Sequence, residues 1–69
     1  MNYLLMGRRL RRGRKRLNLT QEKAAEYADI SAGFIGLIER GQRIPSVETV
    51  VKLCRLYRVS TDYVLGFKK

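Results

Sequence analysis

Residues 20–41 read TQEKAAEYADISAGFIGLIERG, and their punctuation decides the fold. Thr20 is a good N-cap, and Glu22 falls in the first turn that follows, where a negative charge complements the helix dipole. Lys23 stands where a capping box would place Glu or Gln, so that cap is half built. Ala24, Ala25 and Ala28 give the helix a thin apolar edge suited to close approach of another helix. Asp29 falls in a tight turn that calls for a residue tolerant of positive φ. Ser31 caps a second helix, and Gly41 ends it as a left-handed C-cap. Two short capped helices joined by a turn of three to four residues make a helix-turn-helix.

The flanks extend the same grammar. Residues 2–17 form a helix with Met6, Leu10 and Leu17 at near-helical spacing, closed by Asn18. Ile44-Pro45 forces an extended bridge, after which Ser46 caps a helix running to Tyr57. Val47, Val50, Val51, Cys54 and Tyr57 are its expected buried stripe, widened by Leu53 and Leu56. Ser60 caps a last short helix carrying Tyr63, Val64 and Leu65. The expected fold is all-α, five helices in a single domain over residues 1–69 with the motif at 20–41.

Composition limits the function. A 69-residue chain buries about 60% of its unfolded surface, too little for a core and a deep catalytic cavity together. Lys and Arg number 15 against 6 Asp and Glu, a net charge of +9, and seven basic residues lie between Arg8 and Arg16 before any acid occurs. That excess calls for a polyanionic partner. There is one cysteine and no histidine, so an internal disulfide is impossible and a zinc site lacks ligands. No cofactor, metal or small-molecule ligand is expected, nor an enzyme: paired carboxylates on one face and a phosphate-cradling glycine loop are both missing. Cys54 lies in an apolar stripe and reads as core. MNYLLMGRRLRRGRKR has no apolar run long enough for a secretory signal or a membrane span, which points to a cytoplasmic protein. A polybasic helix on anionic lipid is a rival use of the basic run, opposed by the core positions of Leu10 and Leu17.

At 100° per residue, Ser31, Ile35 and Ile38 share one face of the third helix, with Glu39 beside Ile35. An inward carboxylate needs a partner. Arg14, which extends the Leu10/Leu17 face, is the candidate. Gly33, Gly36, Leu37 and Arg40 point away from that face. Each internal glycine costs ~1 kcal/mol relative to Ala, a cost that makes sense where another surface must approach the backbone.

These elements resemble the Cro/C1-type, or XRE-like, helix-turn-helix proteins of phage repressors and bacterial regulators. The matching positions are Gly7, Leu10 and Arg14, then Thr20-Gln21, Ala25, Ile30-Ser31, Ile35 and Ile38-Glu39-Arg40-Gly41. Pro45-Ser46 and Asp62-Tyr63-Val64-Leu65-Gly66 follow in register. The resemblance implies a five-helix, lambda-repressor-like DNA-binding domain whose third helix occupies the major groove of double-stranded DNA. It assigns Ala32, Gly33, Gly36, Leu37 and Arg40 to the groove, and Thr20, Gln21, Gln42 and Arg43 to phosphate. Arg11 and Lys15 are added to the phosphate set from the basic run. It also implies an Arg14–Glu39 pair. The chain departs from the family at Gly13, where a larger apolar residue is usual, at Ala24 for Leu, and at Arg58 for Gly after the fourth helix. Ala32, Gly33 and Leu37 offer no hydrogen bond, leaving apolar contact with thymine methyls and the reach of Arg40 to read sequence.

The implied function is a sequence-specific transcriptional regulator, a repressor, working as a homodimer on two half-sites. With no further domain after Lys69, the dimer is expected to use this same body, through Leu56, Tyr57, Tyr63 and Phe67, with Val59 given mainly to the core. The alternatives are a protein-interaction adaptor that keeps the fold, a restriction-modification controller and an antitoxin.

Overall fold

The computed structural model describes residues 2–68. Five helices follow one another: α1 (Tyr3–Arg16), α2 (Gln21–Ala28), α3 (Ala32–Glu39), α4 (Val47–Tyr57) and α5 (Thr61–Leu65), with no strand among the described residues. Each begins on a side-chain cap. Asn2 Oδ1 accepts from Leu5 N, Thr20 Oγ1 from Lys23 N, Ser31 Oγ from Phe34 N, Ser46 Oγ from Thr49 N and Ser60 Oγ from Tyr63 N, at 2.9 to 3.1 Å. Such a cap is worth ~1 kcal/mol, enough to fix where helices of five to fourteen residues start. Asp29 and Arg58 close α2 and α4 in the left-handed region, at φ 59° and 60°. Arg58 thus takes a conformation that glycine would take without strain. α3 ends at Glu39, two residues before Gly41, which carries the positive φ of 73° beyond it.

The core is built from all five helices. Leu10, Ile35, Ile38, Leu53, Tyr57 and Val64 are its most deeply buried large side chains. Ala24, Ala25 and Ala28 are buried and let α2 lie close to α3 and α4. α1 crosses the end of α3 at Gly7, where an added Cβ would stand 2.6 Å from the Glu39 carbonyl oxygen and nearer still to that of Ile38. Gly13 leaves room for a different purpose: the Tyr57 side chain packs over its bare backbone, with Tyr57 Cβ 3.1 Å from where a Cβ of residue 13 would be. The departure from the family at Gly13 is therefore filled by the ring from α4.

Two sequence expectations change here. Tyr57 is 0% exposed, so it cannot belong to a dimer surface. Its hydroxyl has no hydrogen-bond partner, and burial pushes the phenol above its ordinary pKa. Val47, expected in the buried stripe, is 80% exposed because it opens α4 a turn before that helix meets the core. Val59 and Leu56 are half-buried and pack against the core, as does Tyr63, whereas Phe67 is exposed. Cys54 is buried, which raises its thiol to about 11 and fits its reading as core. No described helix is long and apolar enough to cross a membrane.

Candidate nucleic-acid interface

A buried ionic cluster sets the angle between α1, α2 and α3. Arg14 Nε donates to Glu39 Oε2 at 2.7 Å and Nη2 donates to Oε1 at 3.1 Å, a bidentate pair with both side chains nearly buried. The third nitrogen, Nη1, donates to the Leu19 carbonyl at 2.8 Å, tying the pair to the segment that leads into α2. Gln21 Nε2 adds a bond to Glu39 Oε1 at 3.2 Å. One carboxylate from α3 thus gathers α1 and the first residue of α2. The guanidinium of Arg14 is held above its ordinary pKa by its hydrogen bond to Glu39, against the opposing effect of burial.

With Ile35, Ile38 and Glu39 turned inward, the rest of α3 is offered outward to different degrees. Gly33 is exposed, and the nearest neighbour of a Cβ there would be Ser31 Oγ at 3.9 Å. Leu37 is half-buried at the helix edge and lines a shallow cleft with Tyr3, Phe34, Gln42, Arg43 and Ile44. Two assigned groove residues are placed otherwise. Ala32 is half-buried and packs against the core. Gly36 is buried, because the Arg40 guanidinium and the Gln21 amide lie over it, 3.2 and 3.6 Å from the position of an added Cβ. The wheel alone leaves Gly36 free; side chains from α2 and from the end of α3 cover it. Its missing side chain makes space for those two, and so for the contact of Gln21 with Glu39.

Arg40 is exposed and folds back along α3, where its Nε donates to Gln42 Oε1 at 3.2 Å. It shares a cleft with Leu4, Arg8, Arg11 and Gln21. Arg11 stands 4.0 Å from Glu39 with its side chain 57% exposed, leaving most of its donors free. Thr20, Gln42, Arg43 and Lys15 are exposed and Gln21 is half-buried. Arg8, which the basic run alone does not set apart, joins Arg11 and Arg40 on the same side, three residues before Arg11 along α1. Phe34, three residues before Leu37 on α3, lines the same cleft as Leu37.

The remaining basic residues of α1 divide by face. Arg9 lies over the Tyr63 ring at 4.3 Å and donates to the carbonyls of Tyr63 and Lys68, the latter at 2.8 Å. Arg16 donates to the Tyr57 carbonyl at 2.6 Å. Those two brace the ends of α4 and α5. Arg8, Arg11, Arg12 and Lys15 stay exposed.

The arrangement is a short outward helix edge flanked by cations and by the amino end of α2, a natural anion site where backbone N–H groups emerge. The helix-turn-helix family profile matches residues 10–64. The HTH-type transcriptional regulator ImmR of Bacillus subtilis (strain 168) is 43% identical over 61 residues, covering 88% of this chain and 48% of ImmR. The chain spans about half the length of the two curated relatives it matches at 43% identity. Among solved structures, the restriction-modification controller protein C.AhdI from Aeromonas hydrophila superposes with a TM-score of 0.82 at 29% identity, covering 90% of this chain and 94% of C.AhdI. The P22 c2 repressor protein in complex with synthetic operator 9T gives a TM-score of 0.82 at 32% identity, covering 87% of this chain and 91% of the repressor chain in that structure.

Proposed function

The chain belongs to the helix-turn-helix family, and from that premise we propose that it is a sequence-specific double-stranded DNA-binding transcriptional regulator, acting as a repressor in the cytoplasm. The observation that carries this reading is the outer edge of α3. Gly33 and Leu37 stand clear of the deep core, with Arg40, Gln42 and Arg43 at one end and the amino end of α2 alongside. In this reading α3 lies in the major groove. Gly33 lets a base edge approach the backbone, and Leu37 packs against thymine methyl groups. Thr20, Gln21, Gln42, Arg43, Arg11 and Lys15 hold phosphates on either side, joined by Arg8 and by Arg40, whose guanidinium is turned toward that cluster.

One copy is 27 Å in its longest dimension, whereas successive major-groove faces are ~34 Å apart. A single body therefore meets one half-site, and the regulator works as a homodimer. The test is selection of bound duplexes from a random library. The expected outcome is a motif of two inverted half-sites about one helical turn apart and rich in thymine at the Leu37 contact. A pool with no enriched motif would remove sequence-specific regulation from the reading.

A further inference from the structure

Successive residues of an α-helix turn by about 100°, so α1 carries two basic stripes. Arg8, Arg11 and Lys15 form one, beside α3. Arg9, Arg12 and Arg16, each one residue further on, form the other and face α5. This second stripe borders two adjoining clefts. The first, of about 260 Å³, is lined by all three arginines with Gly13, Ser60 and Tyr63. The second, of about 320 Å³, shares Arg9, Arg12 and Tyr63 and adds Leu5 and Arg8. Among the described residues no carboxylate lines either cleft. Three guanidinium groups around one hollow repel one another, and the bracing of α4 and α5 accounts for two of them, Arg9 and Arg16. Arg12 stands between those two, exposed and with no hydrogen-bond partner among the described residues.

We propose that these clefts bind a small molecule bearing two or more linked phosphates, as a nucleoside di- or triphosphate does. The phosphates sit between Arg9, Arg12 and Arg16, and the organic remainder lies in the second cleft against Leu5 and Tyr63. Guanidinium groups suit that ligand, because their fork of N–H donors matches phosphate oxygens in pairs. Two of the three are already held in place. Arg9 is fixed by the carbonyls of Tyr63 and Lys68 and by the Tyr63 ring, 4.3 Å from its guanidinium carbon. Arg16 is fixed by the Tyr57 carbonyl at 2.6 Å. Each of the two keeps most of its N–H donors for a ligand, and little side-chain freedom is left to lose on binding. Ser60 Oγ accepts from Tyr63 N at 3.0 Å, which leaves its own O–H to donate.

The same bonds argue against a second duplex as the occupant. A duplex offers its phosphates on a convex surface, which projecting side chains reach. Arg9 and Arg16 are instead drawn back onto main-chain carbonyls and would have to give those up to extend. A small polyphosphate enters the hollow and meets them where they lie. No small-molecule ligand is expected from the sequence, because the clefts exist only once helix rotation and the docking of α5 bring Ser60 and Tyr63 to the second stripe. The site does not depend on the DNA-binding reading.

Amide chemical shifts of the isotope-labelled chain test this during titration with inorganic pyrophosphate and, separately, with ATP, both free of metal. Salt is held at about 0.15 M, where a Debye length of ~8 Å screens long-range attraction. Pyrophosphate is expected to give saturating shifts centred on Gly13, Ser60 and Tyr63, and ATP to extend them to Leu5. Arg12→Gln should weaken both ligands about tenfold, the loss of one charge-assisted hydrogen bond. Its melting temperature should not move, because Arg12 is exposed. Lys15→Gln removes the same charge from the first stripe and should bind as wild type does. Shifts that grow without saturating over both stripes would overturn the site, as would equal losses in Arg12→Gln and Lys15→Gln, or ATP shifts that never reach Leu5. A single half-site duplex that shifts Gly13, Ser60 and Tyr63 and displaces pyrophosphate would give the clefts to the DNA backbone and overturn the small-ligand assignment. If no duplex binds wild type, the DNA reading fails instead, and the pyrophosphate shifts still decide the clefts.

Discussion

Glu39 is the residue on which the geometry of α3 turns. Its carboxylate takes two hydrogen bonds from Arg14 and one from Gln21. Arg14→Ala would leave it buried with the Gln21 amide and a distant Arg11, and breaking a buried pair on one side costs about 3 kcal/mol or more. Urea unfolding should therefore show a lowered midpoint in Arg14→Ala, and an unmoved midpoint would mean that water or Arg11 already satisfies the carboxylate. The inward face of Glu39 is legible in the sequence, because helical spacing sets it beside Ile35. Gly36 is not, because its cover comes from Gln21 on another helix and from Arg40 curling back. Tyr57 is legible in part, since helical spacing places it in the buried stripe of α4 but does not show where its ring is received. The space that admits its ring is the absence of a side chain at Gly13, forty-four residues away in sequence and adjacent in the fold.

At the scale of the element, the helix starts are written plainly in Thr20, Ser31, Ser46 and Ser60, since each cap needs only a short side chain and the next turn. What a helix buries is less local. Val47 has the right spacing for the stripe of α4, but it lies at the first position, outside the turns that reach the core. The glycines of α1 and α3 separate along the same line. Gly7 permits backbone contact between α1 and the end of α3, so Gly7→Ala forces those helices apart and should cost about 1–3 kcal/mol, as overpacking does. Gly33 faces open space, so Gly33→Ala should raise stability by up to ~1 kcal/mol while weakening DNA binding if a base edge approaches the backbone there. Thermal melts of the two variants, moving in opposite directions, check the packing. A destabilised Gly33→Ala would contradict it.

For the molecule as a whole, the net charge of +9 supports the functional reading and is legible in the sequence. How the charge is divided is not. Arg9 and Arg16 brace α4 and α5, Arg14 is buried, and Arg8 and Arg11 join Arg40 beside α3. A linear run of seven cations says nothing of this division, because helical rotation and the docking of α5 distribute them. The orientation of α3 is the property of the whole fold on which DNA recognition depends, and Leu37 is the residue that reports it. Leu37→Glu places a carboxylate at the half-buried outer edge of α3 without entering the deep core. Affinity for the selected duplex, measured by fluorescence anisotropy beside a thermal melt, should fall at least about tenfold, a loss of ~1.4 kcal/mol, with the melting temperature nearly unchanged. Wild-type affinity in a folded Leu37→Glu chain would contradict the placement of α3 in the major groove.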